Sequence, residues 1–357
     1  MQTQASTASP SAHRTGRLPR LLRRLITGLI AAYTISTLII VIFLIVDTSD
    51  IAWIEFIRTI MLFALLPVPL VLILALALRR WRLGLLLIPV LIASGGYYLP
   101  YLTPKSSTAT PGSNPLTVAS YNILALGDPA SLAAIAAVVR ESGADVVGLQ
   151  EINESAALGL GDLLADDYPY YVLHYHDYWH ARGQGLFSRY PITERAYWSY
   201  KKDMREHTHG QMRVVIDFHG APVVIYNLHG WPPFEWRGGL DFLILPADDV
   251  AHQESVRRGL ERTLIETGPT VLLGDFNMSD QFHEYAAITQ HYSDTFREVG
   301  QGLGFTYPAH GFGPLPPLIR LDYVFHSEHF RGVDMVVLPD AGPSDHFPVR
   351  ATLELID

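Results

Sequence analysis

Two long uncharged stretches near the start of the chain constrain its fold more than any other feature. Leu25 to Val46 covers 22 residues and Thr59 to Leu78 covers 20, and neither contains a charged side chain. Stretches of this length cross a hydrocarbon layer of roughly 30 Å, where a helix satisfies its own backbone hydrogen bonds. The sequence therefore predicts membrane-spanning helices. A cleaved signal peptide is disfavoured because its apolar core is shorter.

A third uncharged segment, Leu83 to Tyr101, is a weaker candidate for a span. It contains Pro89, Gly95, Gly96 and Pro100, so a re-entrant or interfacial segment is the alternative. Tyr97, Tyr98 and Tyr101 near its end are typical of the aromatic belt at a membrane surface. Residues 25–102 are thus predicted to form a membrane region with about three transmembrane helices.

The arginines predict the orientation of these helices. Five arginines lie in residues 1–24, which we interpret as a basic cytoplasmic tail, and three more lie between the second and third segments. Three crossings would then place the rest of the chain outside the cytoplasm, whereas two would leave it inside. Residues 103–115, rich in Pro, Ser, Thr and Gly, read as a linker to a globular domain over 116–357. We therefore predict a multi-pass protein of the cell membrane with an extracytoplasmic domain.

The stretch Val271 to Asp280 predicts a polar site at the end of a buried strand. An apolar run there is closed by Gly274 and followed by Asp275 and Asn277. Side chains two positions apart on an extended chain face the same way, so these two are expected to emerge together. An Asx turn that ends a strand is the alternative.

Polar residues follow apolar runs at four further places, and these clusters favour the functional interpretation. They are Tyr121-Asn122-Ile123-Leu124, Gln150-Glu151-Ile152, Asn227-Leu228-His229-Gly230 and Ser344-Asp345-His346-Phe347-Pro348.

In this order the clusters resemble the endonuclease/exonuclease/phosphatase family over about residues 115–357. The resemblance implies an α+β fold, a four-layer α/β/β/α sandwich of two mixed sheets. Hydrophobic periodicity separately predicts helices at Ser131–Glu141, Glu154–Ala165 and His252–Thr267. His219-Gly220 is expected to turn a β-hairpin.

The resemblance also implies catalytic roles. Asp275 matches the aspartate that orients or activates the attacking water, and Asn277 matches an asparagine that contacts phosphate. His346 would act on the scissile phosphate, and Asp322 would fix its tautomer. For Asp322 alone, a structural ion pair is an equally good explanation.

Glu151 is the best candidate for a direct metal ligand, because Mg²⁺ prefers oxygen ligands and needs few carboxylates besides the substrate phosphate. By resemblance it is the family's metal-binding glutamate, with Asn122 and Asp345 completing or orienting the metal shell. The alternative for Glu151 is a surface glutamate that opens a helix. Mg²⁺ is the expected cofactor and Mn²⁺ the alternative.

His229 matches a family histidine that contacts the phosphate opposite His346. A lone histidine after an apolar strand is more often a hydrogen-bonded core residue. The inserted Gly230-Trp231 is expected to change the shape of the following loop.

Charge bears on the substrate. The chain is formally −9, but its first 100 residues hold nine arginines and three acidic residues, so the remainder is about −15. Proteins that track duplex DNA usually present a basic face, so duplex nucleic acid is disfavoured, although Arg182, Arg213, Arg237, Arg257 and Arg258 could line a groove.

Tryptophan and phenylalanine near the expected site favour a substrate at a membrane. The residues concerned are Trp179, Trp231, Phe234 and Trp236. We therefore expect a membrane-anchored, Mg²⁺-dependent phosphoesterase acting on a lipid-linked phosphate or pyrophosphate. A membrane-tethered nuclease is the second hypothesis, and a catalytically inactive receptor for phosphorylated ligands is the third. The sequence indicates no particular protein partner.

Overall fold

The computed structural model describes residues 19–46, 52–103, 105, 107–175, 183–199, 209–233, 249–311 and 316–356. Its N-terminal part is helical. The helices are α1 (Arg20–Ile45), α2 (Ala52–Leu65), α3 (Val68–Ala77) and α4 (Trp81–Leu102). Among the described residues, three stretches are long and apolar enough to cross a membrane, namely Arg20–Phe43, Arg58–Ala77 and Trp81–Leu102.

The second of these stretches is not one straight helix. A turn at Leu66 and Pro67 separates α2 from α3, and proline lacks the N–H that a continuous helix needs. The third stretch, by contrast, is a single helix despite its prolines and glycines.

The tyrosines at the end of α4 contact protein, which corrects the expectation of an aromatic belt for two of the three. The hydroxyls of Tyr97 and Tyr101 both donate to the carboxylate of Asp280. The guanidinium of Arg297 lies 3.8 Å from the centre of the Tyr101 ring. The last turns of α4 therefore contact Asp280, at the end of the stretch Val271 to Asp280, and Arg297.

The remaining described chain forms two six-stranded mixed sheets. Sheet A has the order β11-β12-β1-β2-β4-β3. Its strands are β1 (Leu116–Asn122), β2 (Val146–Ile152), β3 (Tyr170–His174), β4 (Gly183–Ser188), β11 (Phe330–Val337) and β12 (Val349–Leu355). Sheet B has the order β5-β6-β7-β8-β10-β9. Its strands are β5 (Ile192–Trp198), β6 (Gln211–Phe218), β7 (Ala221–His229), β8 (Thr270–Asp275), β9 (Ser293–Asp294) and β10 (Asp322–His326).

The outer faces of the sheets are covered by α5 (Pro129–Ser142), α6 (Glu154–Leu164), α7 (Asp249–Thr263) and α8 (His283–Ile288). In contrast, α9 (Thr295–Val299) packs Phe296 and Val299 into the core between the sheets. Strand alternation divides the core into layers. Leu273 packs between the two sheets, whereas its neighbour Leu272 packs among the residues that face α7 and α8. Residues of α5 and α6 pack on the outer face of sheet A. The α/β/β/α sandwich is thus confirmed.

Strongly patterned segments were predicted closely. The helices predicted at Ser131–Glu141 and Glu154–Ala165 are α5 and α6, and the helix predicted at His252–Thr267 starts three residues earlier and ends at Thr263. β3 and β5 were not predicted, because most of their side chains are partly or fully exposed and lack a clear apolar pattern.

Candidate active site

The ends of four strands bring the predicted residues to one place. β1 and β2 are parallel, as are β7 and β8, and parallel strands end at the same edge of a sheet. Asn122, Glu151, His229 and Asp275 lie at these carboxyl ends. Asp322 opens β10 directly opposite Asp275.

Asp275 lies at the centre of the site and is 1% exposed. The Nδ2 of Asn122 donates to Oδ2 of Asp275 and to Oε1 of Glu151, at 3.0 Å each. Burial raises the pKa of Asp275 to about 7. The positive charge of His346 and the hydrogen bond from Asn122 lower the pKa, but they offset the effect of burial only in part. Asp275 can therefore exchange a proton near neutral pH.

Asn277 meets Asp275 by a different geometry from the one predicted. The backbone of Asn277 is left-handed, with φ 50°. The alternation of side chains along an extended strand, which predicted that Asn277 and Asp275 face the same way, therefore does not apply. Instead, its N–H donates to Oδ1 of Asp275 at 2.9 Å, which is an Asx turn. Its Nδ2 donates to the carbonyl of Gly230 at 3.1 Å. The Asx turn predicted as the alternative thus describes the backbone at Asn277. The side-chain amide of Asn277 nevertheless borders the site.

Glu151 owes its position to a β-bulge. Its φ is 59°, and the register between β2 and β4 shifts between Gln150 and Ile152. A non-glycine residue in this conformation is strained, and such strain often accompanies functional sites. The helix-opening alternative for Glu151 is wrong, since Asn153 caps α6. Burial raises the pKa of Glu151, with the hydrogen bond from Asn122 opposing it.

His346 and Asp322 form a hydrogen-bonded pair. The His346 Nδ1–H donates to Oδ2 of Asp322 at 2.9 Å, and His346 Nε2 lies 3.7 Å from Oδ2 of Asp275. Burial lowers the pKa of His346, but the carboxylates of Asp322 and Asp275 outweigh it and raise the pKa to about 10. His346 is therefore a cation at neutral pH, with Nε2 directed toward Asp275.

His229 is fully buried and lies between two carboxylates. Its Nε2 is 3.7 Å from Oδ2 of Asp275 and 3.9 Å from Oε1 of Glu151. Burial, with the neighbouring His209 and His346, lowers the pKa of His229 well below its ordinary value. Neither ring nitrogen has a hydrogen-bond partner among the residues described. The core-histidine alternative, which requires a satisfied ring, therefore does not fit.

Two further residues border the site and were not predicted. The ring of His209 lies 3.8 Å from that of His229, and its Nδ1 lies 3.2 Å from the carbonyl oxygen of Gly230. The ring of Tyr307 lies 4.8 Å from that of His346. His209 lies just before β6, and Tyr307 lies between α9 and β10 in an isolated bridge with Ile319. Neither follows an apolar run, so the sequence pattern contains no signal for either.

The residues present fit a hard divalent cation. Buried Oδ1 atoms of Asp322 and Asp345 have no hydrogen-bond partner in the described part of the chain. Asp275, Asp322 and His346 can each offer one ligand atom within 4.8 Å of the others. However, Asp322 and His346 are hydrogen-bonded to each other. The carboxylates of Glu151 and Asp345 are therefore the more available metal ligands. The Oδ1 of Asn122 accepts a hydrogen bond from the N–H of Leu124 at 2.9 Å, which fixes the amide group of Asn122. The Nδ2 of the same amide donates to Glu151 and thereby orients it.

Comparison with known protein families identifies the family of the chain. The model of the endonuclease/exonuclease/phosphatase family matches residues 119–346. No curated protein sequence matches the chain.

Several solved structures share the fold. A family protein from Bacteroides thetaiotaomicron is 20% identical, with a TM-score of 0.53 over 69% of this chain and 99% of that one. A mannosyl-6-phosphatase from the same organism is 22% identical, with a TM-score of 0.52 over 67% and 99%. TDP2 of D. rerio, complexed with a single-strand DNA product, is 17% identical, with a TM-score of 0.53 over 67% and 99%.

Family members are divalent-metal-dependent phosphoesterases, nucleases and phosphatases. The family match extends over more than half of the chain and includes every residue of the candidate site. The protein therefore belongs to the endonuclease/exonuclease/phosphatase family and is a metal-dependent hydrolase of phosphoric ester bonds.

Proposed function

We propose that the protein is a membrane-anchored, Mg²⁺-dependent phosphoesterase that hydrolyses a lipid-linked phosphate or pyrophosphate. The observation that carries the proposal is the convergence on one buried carboxylate, Asp275, of two histidines within 3.7 Å of its Oδ2. The same chain contains three stretches apolar enough to cross a membrane, and tethering raises the effective concentration of a lipid-borne substrate.

Asp275 is proposed to accept a proton from the attacking water. Its Oδ1 is held by the Asn277 N–H and its Oδ2 by Asn122, so the carboxylate has a fixed orientation. With its pKa raised to about 7, it is matched to proton transfer near neutral pH.

The two histidines are proposed to bind the phosphoryl oxygens from opposite sides. His346 is held as a cation by Asp322, so its Nε2–H can donate to an anionic oxygen. His229 stays neutral, so one of its nitrogens donates while the other accepts.

The site also carries an excess of negative charge. Asp275, Asp322, Glu151 and Asp345 are opposed within it by one charged histidine, His346, so an anionic phosphate would be repelled. A Mg²⁺ ion held by Glu151 and Asp345 would supply positive charge to the phosphoryl oxygens.

The placement of arginines supports a lipid substrate over duplex DNA. Arg213 forms ion pairs with two glutamates, at 2.6 Å and 2.9 Å. Arg257 and Arg258 both pair with Glu254 on their own helix. Three of the five arginines considered for a DNA groove are thus already engaged by carboxylates.

The aromatic residues support a membrane substrate less than the sequence suggested. Trp231 is 7% exposed and packs within the domain, so it is not a membrane contact. The other aromatic residues of this prediction, Trp179, Phe234 and Trp236, lie outside the described ranges. The two remaining groove arginines, Arg182 and Arg237, lie outside them as well.

The deciding experiment uses detergent-purified full-length protein. Phosphate release from a polyprenyl pyrophosphate is measured beside nicking of plasmid DNA, each with Mg²⁺ or with EDTA. Asp275→Ala tests the site, and Asp162→Ala, on the exposed side of α6, is the matched control.

Mg²⁺-dependent phosphate release that Asp275→Ala abolishes and Asp162→Ala retains, with the plasmid intact, is the expected result. Nicking without phosphate release would instead identify a tethered nuclease. Binding of phosphorylated ligand without turnover, equal in wild type and Asp275→Ala, would identify a receptor.

The orientation is proposed as multi-pass, with residues 116–357 outside the cytoplasm. A reporter fused after Ser107 tests it, because activity of a reporter that works only in the cytoplasm would contradict three crossings.

A further inference from the structure

We propose that Gln184 forms a subsite that binds a hydroxyl group on the leaving-group side of the substrate. The subsite rests on the phosphoester hydrolysis proposed above and narrows its substrate class to phosphate esters of hydroxylated alcohols, such as a sugar or glycerol head group.

Gln184 lies in the same row of sheet A as the candidate active site. Strand register places Asn122 beside Gln150, Gln150 beside Gln184, and Gln184 beside His174. Neighbouring strands are about 4.8 Å apart, so the Cα of Gln184 lies roughly 10 Å from that of Asn122. Asn122, at the other end of this interval, donates a hydrogen bond to Asp275.

The side chain of Gln184 faces the space between the two sheets. Leu186, two residues on, packs in the core between the sheets. A Cβ added to the intervening Gly185 would meet Ile152 and Leu173, on the helix-covered face. Alternation along β4 therefore directs Gln184 toward sheet B, as it does Leu186.

Gln150 shows what a structural amide in this space looks like. Its Nε2 donates to Oδ1 of Asn227 on sheet B at 2.7 Å and to Ser120 Oγ at 3.1 Å. The amide of Asn227 in turn donates to two carbonyl oxygens of sheet A. Gln150 thus joins the two sheets.

Gln184 makes no such bonds. The residue is fully buried, and within the described part of the chain neither its Nε2 nor its Oε1 has a hydrogen-bond partner. A buried amide with both atoms unpartnered is unfavourable, so this position is better explained by a ligand than by the fold.

The chemistry of the amide selects the ligand. Nε2 needs an acceptor and Oε1 needs a donor, and one hydroxyl group supplies both. An ionised phosphate offers only acceptors, so it would satisfy Nε2 and leave Oε1 facing negative charge. The subsite therefore fits a hydroxyl of the alcohol part of the ester and not a second phosphate.

The test compares esters that differ only in their hydroxyl groups, using the full-length protein in detergent with Mg²⁺. Glycerol 3-phosphate is paired with propyl phosphate, and mannose 6-phosphate with cyclohexylmethyl phosphate, so that the two arms separate a glycerol from a sugar source. Wild type should prefer the hydroxylated member of at least one pair by roughly 10- to 100-fold in kcat/KM. Gln184→Leu should bring that ratio close to one.

Gln150→Leu is the matched control for a structural role. It leaves Oδ1 of Asn227 without its donor and should lower Tm, whereas Gln184→Leu removes an unpartnered amide and should leave Tm unchanged or raised.

Three outcomes would overturn the subsite. The first is equal kcat/KM for both members of each pair in wild type, and the second is a Tm loss in Gln184→Leu as large as that in Gln150→Leu. The third is turnover of polyprenyl pyrophosphate without turnover of any hydroxylated ester, which leaves the proposed function standing. Failure on every phosphate ester would overturn the proposed function and the subsite together.

Discussion

Replacing His252 by asparagine should remove one source of acid sensitivity from the catalytic domain. His252 lies near the start of α7 and is fully buried. Its Nδ1–H donates to the carbonyl of Trp231 at 2.6 Å, and its Nε2 has no partner in the described chain. Ser255 Oγ accepts from the N–H of the same tryptophan at 3.0 Å. α7 thus holds the backbone two residues after His229.

The magnitude follows from the pKa of His252. Burial lowers this pKa from 6.5 to about 4, and the hydrogen bond to Trp231 offsets burial only in part. Because the folded pKa is depressed, the unfolded chain binds the proton first. The stabilisation is therefore complete above about pH 6.5 and is lost as the pH falls toward 4. Each pKa unit is worth about 1.4 kcal/mol, so wild type should lose roughly 2–3 kcal/mol between pH 7.5 and pH 4.5 through this residue.

Urea unfolding of the full-length protein in detergent, followed by tryptophan fluorescence, measures this loss. Trp231 is buried beside His252 and should report directly on the region. Asparagine keeps a donor for the Trp231 carbonyl but does not titrate. The difference in unfolding free energy between wild type and His252→Asn should therefore shift by roughly 2–3 kcal/mol in favour of the variant at pH 4.5.

His291→Asn, at an exposed position, controls for the loss of one histidine. If wild type and His252→Asn lose the same stability over this pH range, His252 is not a neutral buried residue and the reasoning is refuted.

Three further predictions concern the site and the strand that carries it. Asp322→Asn should lower kcat roughly 10²- to 10⁴-fold and move the alkaline limb of the pH–rate profile to lower pH, since Asp322 helps to raise the pKa of His346 to about 10; an unmoved alkaline limb would contradict the role of the pair. Gly274→Ala should destabilise the domain by more than about 4 kcal/mol, because the added Cβ would lie 1.8 Å from the Leu228 carbonyl oxygen. Gly268→Ala is the control: a Cβ added there has no atom within 4 Å, so this variant should show a near-wild-type Tm. EDTA should abolish turnover, and Mg²⁺ at 100 times its Kd should add about 2.7 kcal/mol to the unfolding free energy of wild type; an equal gain in Glu151→Gln would remove Glu151 from the metal site.

The sequence by itself located several buried strands and helices of the fold, and the family resemblance implied their four layers. Apolar runs such as Val271 to Leu273 are continuous because their strands are buried on both faces, and helical periodicity located α5 and α6 to within two residues. Long uncharged stretches located the apolar helices, because length and charge are local properties of a chain. The order of the polar clusters was likewise sufficient to indicate the family.

Only the tertiary structure decided how those clusters meet. Asn122 and Asp275 are 153 positions apart, and their contact depends on the register of two sheets and on how these sheets pack. The left-handed backbone of Glu151 is not what a glutamate favours, so local propensity did not predict the bulge. Asparagine does favour this conformation, and the Asx turn at Asn277 was accordingly one of the two interpretations that the sequence offered.

His209, Tyr307 and Gln184 show the same limit. None of them follows an apolar run that would mark it, and each gained its significance from a neighbour distant in sequence. Gln184 and Gln150 are the same residue type in adjacent strands, yet only Gln150 finds a partner across the sheets, in Asn227. Local sequence reports burial and periodicity, whereas the pairing of polar atoms depends on packing between segments that the chain itself keeps far apart.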